Sequence, residues 1–134
     1  MDAREDVPLI ECQEVRPLAE PLGRPIRLAV LISGGGSSLA NLLKCRDAGL
    51  LDAEFPLVIA SRSDCGGLQI ARNAGIRAEV VSRKSFKDTE EFSAQIFALI
   101  REAQVDLVVL AGFLPIVSAK LCQKWAGRMI NTHP

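Results

Sequence analysis

The stretch that decides the fold is residues 26–39, IRLAVLISGGGSSL. Its first seven residues are almost all apolar, which is typical of a strand buried on both faces of a sheet. Gly34, Gly35 and Gly36 follow at once, and a helical pattern then begins at Ser37. A strand, a tight glycine turn and a helix in direct succession predict the first unit of an α/β fold.

Four further apolar runs predict strands, and helical patterns lie between them. The predicted strands cover residues 26–32, 57–60, 78–81, 107–111 and 129–131, and the predicted helices cover 37–48, 67–74, a segment begun by the capping-box pair Asp88 and Glu91, and roughly 116–126. Strict alternation of strand and helix predicts a doubly wound, mostly parallel, Rossmann-like sheet with right-handed crossovers. In that winding strand one lies beside strand four and near strand five.

The composition is that of one ordinary globular domain. The chain has 134 residues, 49% of them apolar, with 16 basic and 16 acidic side chains. Balanced charge provides no long-range field for nucleic acid or anionic lipid, so neither is expected as a partner. The longest uncharged apolar stretch, residues 107–119, is too short to span a bilayer.

Several simpler expectations come from the ends of the chain and the cysteines. The acidic start lacks a secretory signal, which predicts a cytoplasmic protein. Residues 1–24 contain three prolines and many charges and are interpreted as a flexible leader before a domain at 25–134. Cys12, Cys45, Cys65 and Cys122 are widely spaced, so no disulfide framework and no metal site is expected.

The glycine turn has the features of a phosphate cradle. Glycines let the backbone approach an anion closely, the first N–H groups of a helix lack internal partners, and the hydroxyls of Ser37 and Ser38 add donors. Gly34 and Gly36 also fit the start of the dinucleotide fingerprint, although Leu39 occupies its third glycine position. Because Arg62 follows strand two and could meet a 2′-phosphate, an NADP-binding reductase domain is one alternative. A turn that binds nothing is another.

Two other strand ends carry unusual residues. Strand four runs into an apolar loop whose Leu114, Ile116 and Val117 could wall a flat heterocycle, or could simply cover the end of the sheet. Strand five is followed by His133, which is the only histidine. It could move a proton near neutral pH, or it could be a surface residue. The predicted winding brings these two ends and the glycine turn to one crevice.

Three segments resemble the folate-dependent phosphoribosylglycinamide formyltransferases of purine synthesis. They are LISGGGSSL at 31–39, LAGFL at 110–114 and MINTHP at 129–134. Their order and spacing agree with that family over about residues 26–134. Formyltransferases that act on methionyl-tRNA or on sugars share the Asn-x-His pattern, but the glycine–serine turn favours a ribonucleotide phosphate.

The resemblance implies formyl transfer from 10-formyltetrahydrofolate to glycinamide ribonucleotide, two small-molecule substrates. Residues Gly36, Ser37 and Ser38 match the positions that hold the substrate phosphate. The folate pterin is bordered by the positions of Leu114, Pro115, Ile116 and Val117, together with Asn131. Asn131 matches the amide that polarises the formyl carbonyl, and His133 matches the residue that assists the oxyanion and proton movement.

The chain also departs from the family pattern. Pro115 and Thr89 stand where the family often has arginine, so contacts with the folate tail are expected to differ. The family's catalytic aspartate lies beyond Pro134, so the chain is interpreted as an incomplete amino-terminal nucleotide-binding domain, truncated at its carboxyl end. As given, it is expected to lack appreciable transfer activity. A non-catalytic ribonucleotide-phosphate-binding module is a further alternative.

Overall fold

The structure, a computed structural model, describes residues 22–132 and contains one five-stranded parallel sheet with helices on both faces. The strands are β1 (Ile26–Ile32), β2 (Ala53–Ala60), β3 (Ala78–Val80), β4 (Leu107–Ala111) and β5 (Met129–Asn131). The helices are α1 (Ser37–Asp47), α2 (Gly67–Asn73), α3 (Thr89–Glu102) and α4 (Ala119–Lys124), with a 3-10 turn at Arg83–Ser85. The α/β class predicted from the sequence is confirmed.

The strand order is β3-β2-β1-β4-β5, so the chain moves outward from β1 and then crosses over to β4. Register pairs Ile32 with Ala60 on one side and with Ala111 on the other. The predicted neighbourhood of strands one, four and five is therefore confirmed. The carboxyl ends of β1 and β4 form the point of reversal, where open α/β sheets bind ligands.

The core has two layers because β1 is apolar on both of its faces. Leu28, Val30 and Ile32 face α1 and α2, whereas Ala29 and Leu31 face α3. All five side chains are at most 4% exposed. This arrangement explains why the strand has a continuous apolar run rather than an alternating pattern.

Two elements begin three or more residues away from their predicted starts. β2 begins at Ala53 rather than at 57, because the register shift between Arg27 and Ala29 accommodates Pro56 within the strand. α4 begins at Ala119 rather than near 116, because the backbone of Ser118 is not helical and its N–H is held by a side chain outside the helix. Both differences arise from tertiary contacts that local sequence patterns do not reveal.

Trp125 lies at the end of α4 and packs in the core layer on the α3 side. It is 8% exposed, and its ring lies 6.1 Å from that of Phe97 in α3. The guanidinium of Arg128 sits 4.3 Å from the tryptophan ring, a cation–π contact. Arg128 also donates to the carbonyls of Val105 and Asp106. Trp125 therefore connects the end of α4 to α3 and to Arg128.

Asp106 forms a clasp at the amino edge of the sheet. Its carboxylate accepts two hydrogen bonds from the guanidinium of Arg24, at 2.6 and 2.9 Å, and one from the backbone N–H of Arg27 at 2.8 Å. The hydrogen bonds from Arg24 are the main cause that lowers the pKa of Asp106 to about 2. Arg24, which the sequence placed in the leader, therefore contacts the domain; the leader's residues 1–21 lie outside the described residues.

Candidate functional site

The glycine turn, Gly34–Gly36, packs directly against the start of α2. Gly36 has φ +78°, and a β-carbon on it would lie 2.7 Å from Cα of Gly67. The N–H of Gly67 donates to the carbonyl of Gly34 at 3.1 Å. Only glycine combines this left-handed conformation with this close approach, so the turn has a defined shape.

The first turn of α1 is open to a ligand. Its N-cap is Gly36, which has no side chain to accept a hydrogen bond, and the turn contains no acidic residue. The helix therefore presents backbone N–H groups and the positive end of its dipole. The side chain of Ser37 is exposed beside them and that of Ser38 is half-buried. These are the physical requirements of an anion site.

A cleft of about 430 Å³ opens over this turn. The ends of β4 and β5 close its other side, through Ala111, Gly112 and Thr132. Thr132 is fixed there because its N–H donates to the carbonyl of Leu110 at 2.9 Å. The full lining is Gly34, Gly35, Gly36, Ser37, Ser38, Ala111, Gly112 and Thr132.

Asn131 lies at the end of β5, where it pairs in register with Leu110. It is exposed and does not line the glycine cleft. Side chains alternate along a strand, so Asn131 shares the face of Met129, which packs against the core layer on the α3 side. His133 and Pro134 lie outside the described residues.

The apolar loop, residues 112–118, lies beside the cleft rather than inside it. Leu114 and Pro115 line a separate pocket of about 180 Å³, and Ile116 lines neither of the two pockets. The side chains of Leu114 and Ile116 are each 79% exposed, whereas Val117 packs against the α3 side of the core. The predicted crevice thus contains the glycine turn, Gly112 of the apolar loop and Thr132 after β5, whereas Asn131 lies outside it.

Three cationic side chains surround this second pocket. Arg62 follows β2, and Arg83 and Lys84 follow β3. Arg83 donates to the carbonyl of Phe86 at 3.1 Å, while Arg62 contacts Asp64 at 3.3 Å. The pocket therefore combines positive charge with the apolar surface of Leu114 and Pro115.

Sequence reasoning missed the serines that hold the apolar loop. The hydroxyl of Ser33 accepts the N–H of Leu114 at 2.8 Å, and that of Ser93 accepts the N–H of Ser118 at 2.7 Å. Glu90, in the first turn of α3, accepts a hydrogen bond from the hydroxyl of Ser118 at 2.6 Å. No local pattern distinguishes these residues, because each acts on a segment at least 25 positions away.

Ser61 and Arg62, which follow β2 where an NADP site was considered, make contacts within the protein instead. The hydroxyl of Ser61 is 2.7 Å from that of Ser33, and both residues are buried. Arg62 is engaged with the carbonyl of Ser33 at 3.2 Å as well as with Asp64. Ser61 is therefore a packing residue and not an exposed ligand donor.

Residues 22–132 contain neither a candidate metal-binding cluster nor a candidate membrane-spanning helix. Within them, no group of three His, Cys, Asp or Glu side chains is placed to hold a metal ion. None of the helices in this range has the length and apolar character needed to cross a membrane. Cys45, Cys65 and Cys122 are free in the same range, and Cys12 falls outside it.

Comparison with known proteins gives the family. The model that describes formyl transferases matches residues 26–134, which include the glycine turn, the apolar loop and β5. This chain belongs to the formyl transferase family. The fold and the family together do not favour the NADP-binding alternative.

Relatives of this chain occur in bacteria and in animals. The chain is 36% identical over 108 residues to a phosphoribosylglycinamide formyltransferase of Haemophilus influenzae, covering 81% of this chain and 51% of that protein. It is 40% identical over 108 residues to the human trifunctional purine biosynthetic protein adenosine-3, covering 81% of this chain and 11% of that protein. The chain thus spans about half the length of the bacterial relative.

Solved structures agree with this assignment. The phosphoribosylglycinamide formyltransferase of Coxiella burnetii superposes with a TM-score of 0.80 at 32% identity, over 83% of this chain and 52% of that one. The enzyme of the same name from Brucella melitensis gives 0.78 at 32% identity, over 83% and 58%. The doubly wound sheet described above is therefore the formyltransferase fold.

Proposed function

We propose that this chain carries the phosphate-binding part of a glycinamide ribonucleotide formyltransferase of purine biosynthesis. The observation that carries the proposal is the open first turn of α1, set in a cleft that β4 and β5 close. Gly36, Ser37 and Ser38 would hold the ribonucleotide phosphate there. Hydrogen bonds to a charged group contribute about 1.5–3 kcal/mol each, so a few of them suffice for a weak site.

The second substrate would be 10-formyltetrahydrofolate, bordered by Leu114, Pro115, Ile116 and Val117. The exposed apolar side chains of Leu114 and Ile116 suit a flat heterocycle. The positive pocket beside Pro115 suits the carboxylates of a folate tail, although arginine is absent from positions 89 and 115. Arg62, Arg83 and Lys84 supply the cationic groups in their place.

In the proposed reaction the substrate amine attacks the formyl carbon, and the folate nitrogen leaves as the new C–N bond becomes an amide. Charge develops on the formyl oxygen, where a positioned donor has its largest effect. Asn131 would donate to that oxygen from the end of β5. His133 would assist the oxyanion and transfer of the amine proton. We propose a cytoplasmic location for this chemistry.

The phosphate site can be tested without catalysis. Ribose 5-phosphate added to the 134-residue chain should shift the NMR amide signals of Gly36, Ser37 and Ser38 selectively. Ser38→Asp should abolish these shifts because it places a negative charge beside the phosphate. Ser38→Asn serves as the control, because an asparagine side chain has nearly the same shape as an aspartate but carries no charge. Unchanged wild-type spectra at millimolar ligand would contradict the proposed phosphate site.

Two further assays separate the alternatives. NADPH should give no comparable shifts at the glycine turn if the ligand is a ribonucleotide. Formyl transfer to glycinamide ribonucleotide should appear in a form extended by the carboxyl-terminal half of a relative such as the Haemophilus influenzae enzyme, of which the chain covers 51%. His133→Ala in that extended form should lower the rate strongly. A rate unaffected by this substitution would overturn the role assigned to His133.

A further inference from the structure

The buried residue Ser33 connects the ends of three strands. It follows β1 directly and is 2% exposed. Its hydroxyl oxygen lies 2.8 Å from the N–H of Leu114 after β4 and 2.7 Å from the hydroxyl of Ser61 after β2. Since an N–H can only donate, the Ser33 oxygen accepts from Leu114, and its own hydrogen is free to bind the Ser61 oxygen.

The other end of the apolar loop is held independently. Ser118 is tied to Ser93 and Glu90, as described above, and both Ser93 and Ser118 are buried. On the Leu114 side, the ring of the preceding residue, Phe113, stacks against that of Phe92, with the planes 4° apart. Loss of the Ser33 contact would therefore release the backbone of Leu114, whose side chain is exposed, while Phe113 and Ser118 stay fixed.

We propose that Ser33 is a positioning residue that sets the distance between the phosphate cleft and the apolar loop. The residue immediately precedes the glycine turn, so its hydroxyl holds Leu114 at a fixed place relative to the phosphate-binding backbone. The two bound substrates must meet with their reacting atoms aligned, and this requires both binding surfaces to be fixed with respect to each other. The inference rests on the proposed function and adds a residue to it.

Ser33→Ala and Ser61→Ala form a matched pair in the 134-residue chain. Each removes one buried hydroxyl, but only the first removes the acceptor of the Leu114 N–H. We expect Ser33→Ala to speed hydrogen exchange at the Leu114 amide by about tenfold, the effect of losing one ordinary hydrogen bond. Ser61→Ala should leave that exchange rate close to the wild-type value.

Ligand titrations then test the effect on binding. Ser33→Ala should weaken binding of 5-formyltetrahydrofolate, a stable reduced folate, by up to about tenfold while leaving the dissociation constant of ribose 5-phosphate unchanged. A wild-type Leu114 exchange rate in Ser33→Ala would overturn the proposal, as would equal weakening of folate binding in both variants. If the wild-type chain bound neither ligand, the proposed function would fail, while the Leu114 exchange would still decide whether Ser33 holds the loop.

Discussion

Gly36 shows how strongly a single position can constrain the cleft. We expect Gly36→Ala to destabilise the protein by roughly 1–3 kcal/mol and to remove ribose 5-phosphate binding, because it adds backbone strain and a contact of 2.7 Å with Gly67. Chemical denaturation and NMR titration would measure the two effects.

Gly34→Ala is the control for that substitution. A β-carbon at Gly34 meets no atom within 4 Å, so this change should cost little stability. Equal destabilisation by the two variants would show that the close approach of Gly36 to Gly67 is not what shapes the turn.

Sequence reasoning identified those residues whose role is indicated by their immediate neighbours in the chain. Three consecutive glycines before a helix signal an anion site, and the structure opens a cleft over that turn. Ser33 and Ser93 could not be found in this way because a serine is common in many contexts. Their importance depends on partners 81 and 25 residues away, which only the fold brings close.

Asp106 ties Arg24 and β1 together at the opposite edge of the sheet. Its folded-state pKa of about 2 lies below the ordinary value of 3.8, so its ionised form is stabilised by folding. The contribution of this carboxylate to the free energy of unfolding is complete at pH values above its ordinary pKa and is lost as the pH falls through about 2. We therefore expect Asp106→Asn to lower the free energy of unfolding at neutral pH and to flatten its decline between about pH 4 and 2.

Urea denaturation at a series of pH values would measure this dependence. Asp47→Asn is a suitable control, since Asp47 is an exposed carboxylate in a surface ion pair with Arg46. Its substitution should leave the acid slope close to that of the wild type. An unchanged slope in Asp106→Asn would instead show that the clasp contributes nothing to acid stability.

Element types were predictable where local and tertiary preferences agreed. Asp88 was identified as a helix cap from its spacing to Glu91, and it accepts the N–H of Glu91 at 2.9 Å. The start of β2 was missed because Pro56 is a poor strand residue unless a bulge accommodates it. The start of α4 was placed too early because Ser118 is hydrogen-bonded to Ser93 and Glu90 of α3 and has a non-helical backbone.

Residues 22–132 together expose an apolar groove beside α1. It has a volume of about 370 Å³, and its apolar lining residues are Ile26, Leu28, Leu42, Leu51, Leu107, Val109 and Ile130. Ile130 is 51% exposed and belongs to the edge strand β5. Exposed apolar surface next to an unpaired strand edge promotes association. We expect the 134-residue chain to self-associate as its concentration rises.

Ile130→Glu should reduce that association by placing a charge in the groove and on the edge strand. Light scattering at increasing protein concentration would measure it. Leu50→Glu provides the comparison, because Leu50 is 80% exposed but lies outside the groove. A monodisperse wild-type monomer, or an equal effect of both substitutions, would contradict the role of the groove.

The position of Trp125 makes intrinsic tryptophan fluorescence a probe of folding in this chain. It is the only tryptophan, and it is packed between Phe97 and the guanidinium of Arg128, close to the amino edge of the sheet. Its emission therefore reports on the integrity of the core around α3 and α4. Ligands of the glycine cleft bind at the carboxyl edge, so occupancy there should leave the fluorescence unchanged while unfolding moves it to longer wavelength.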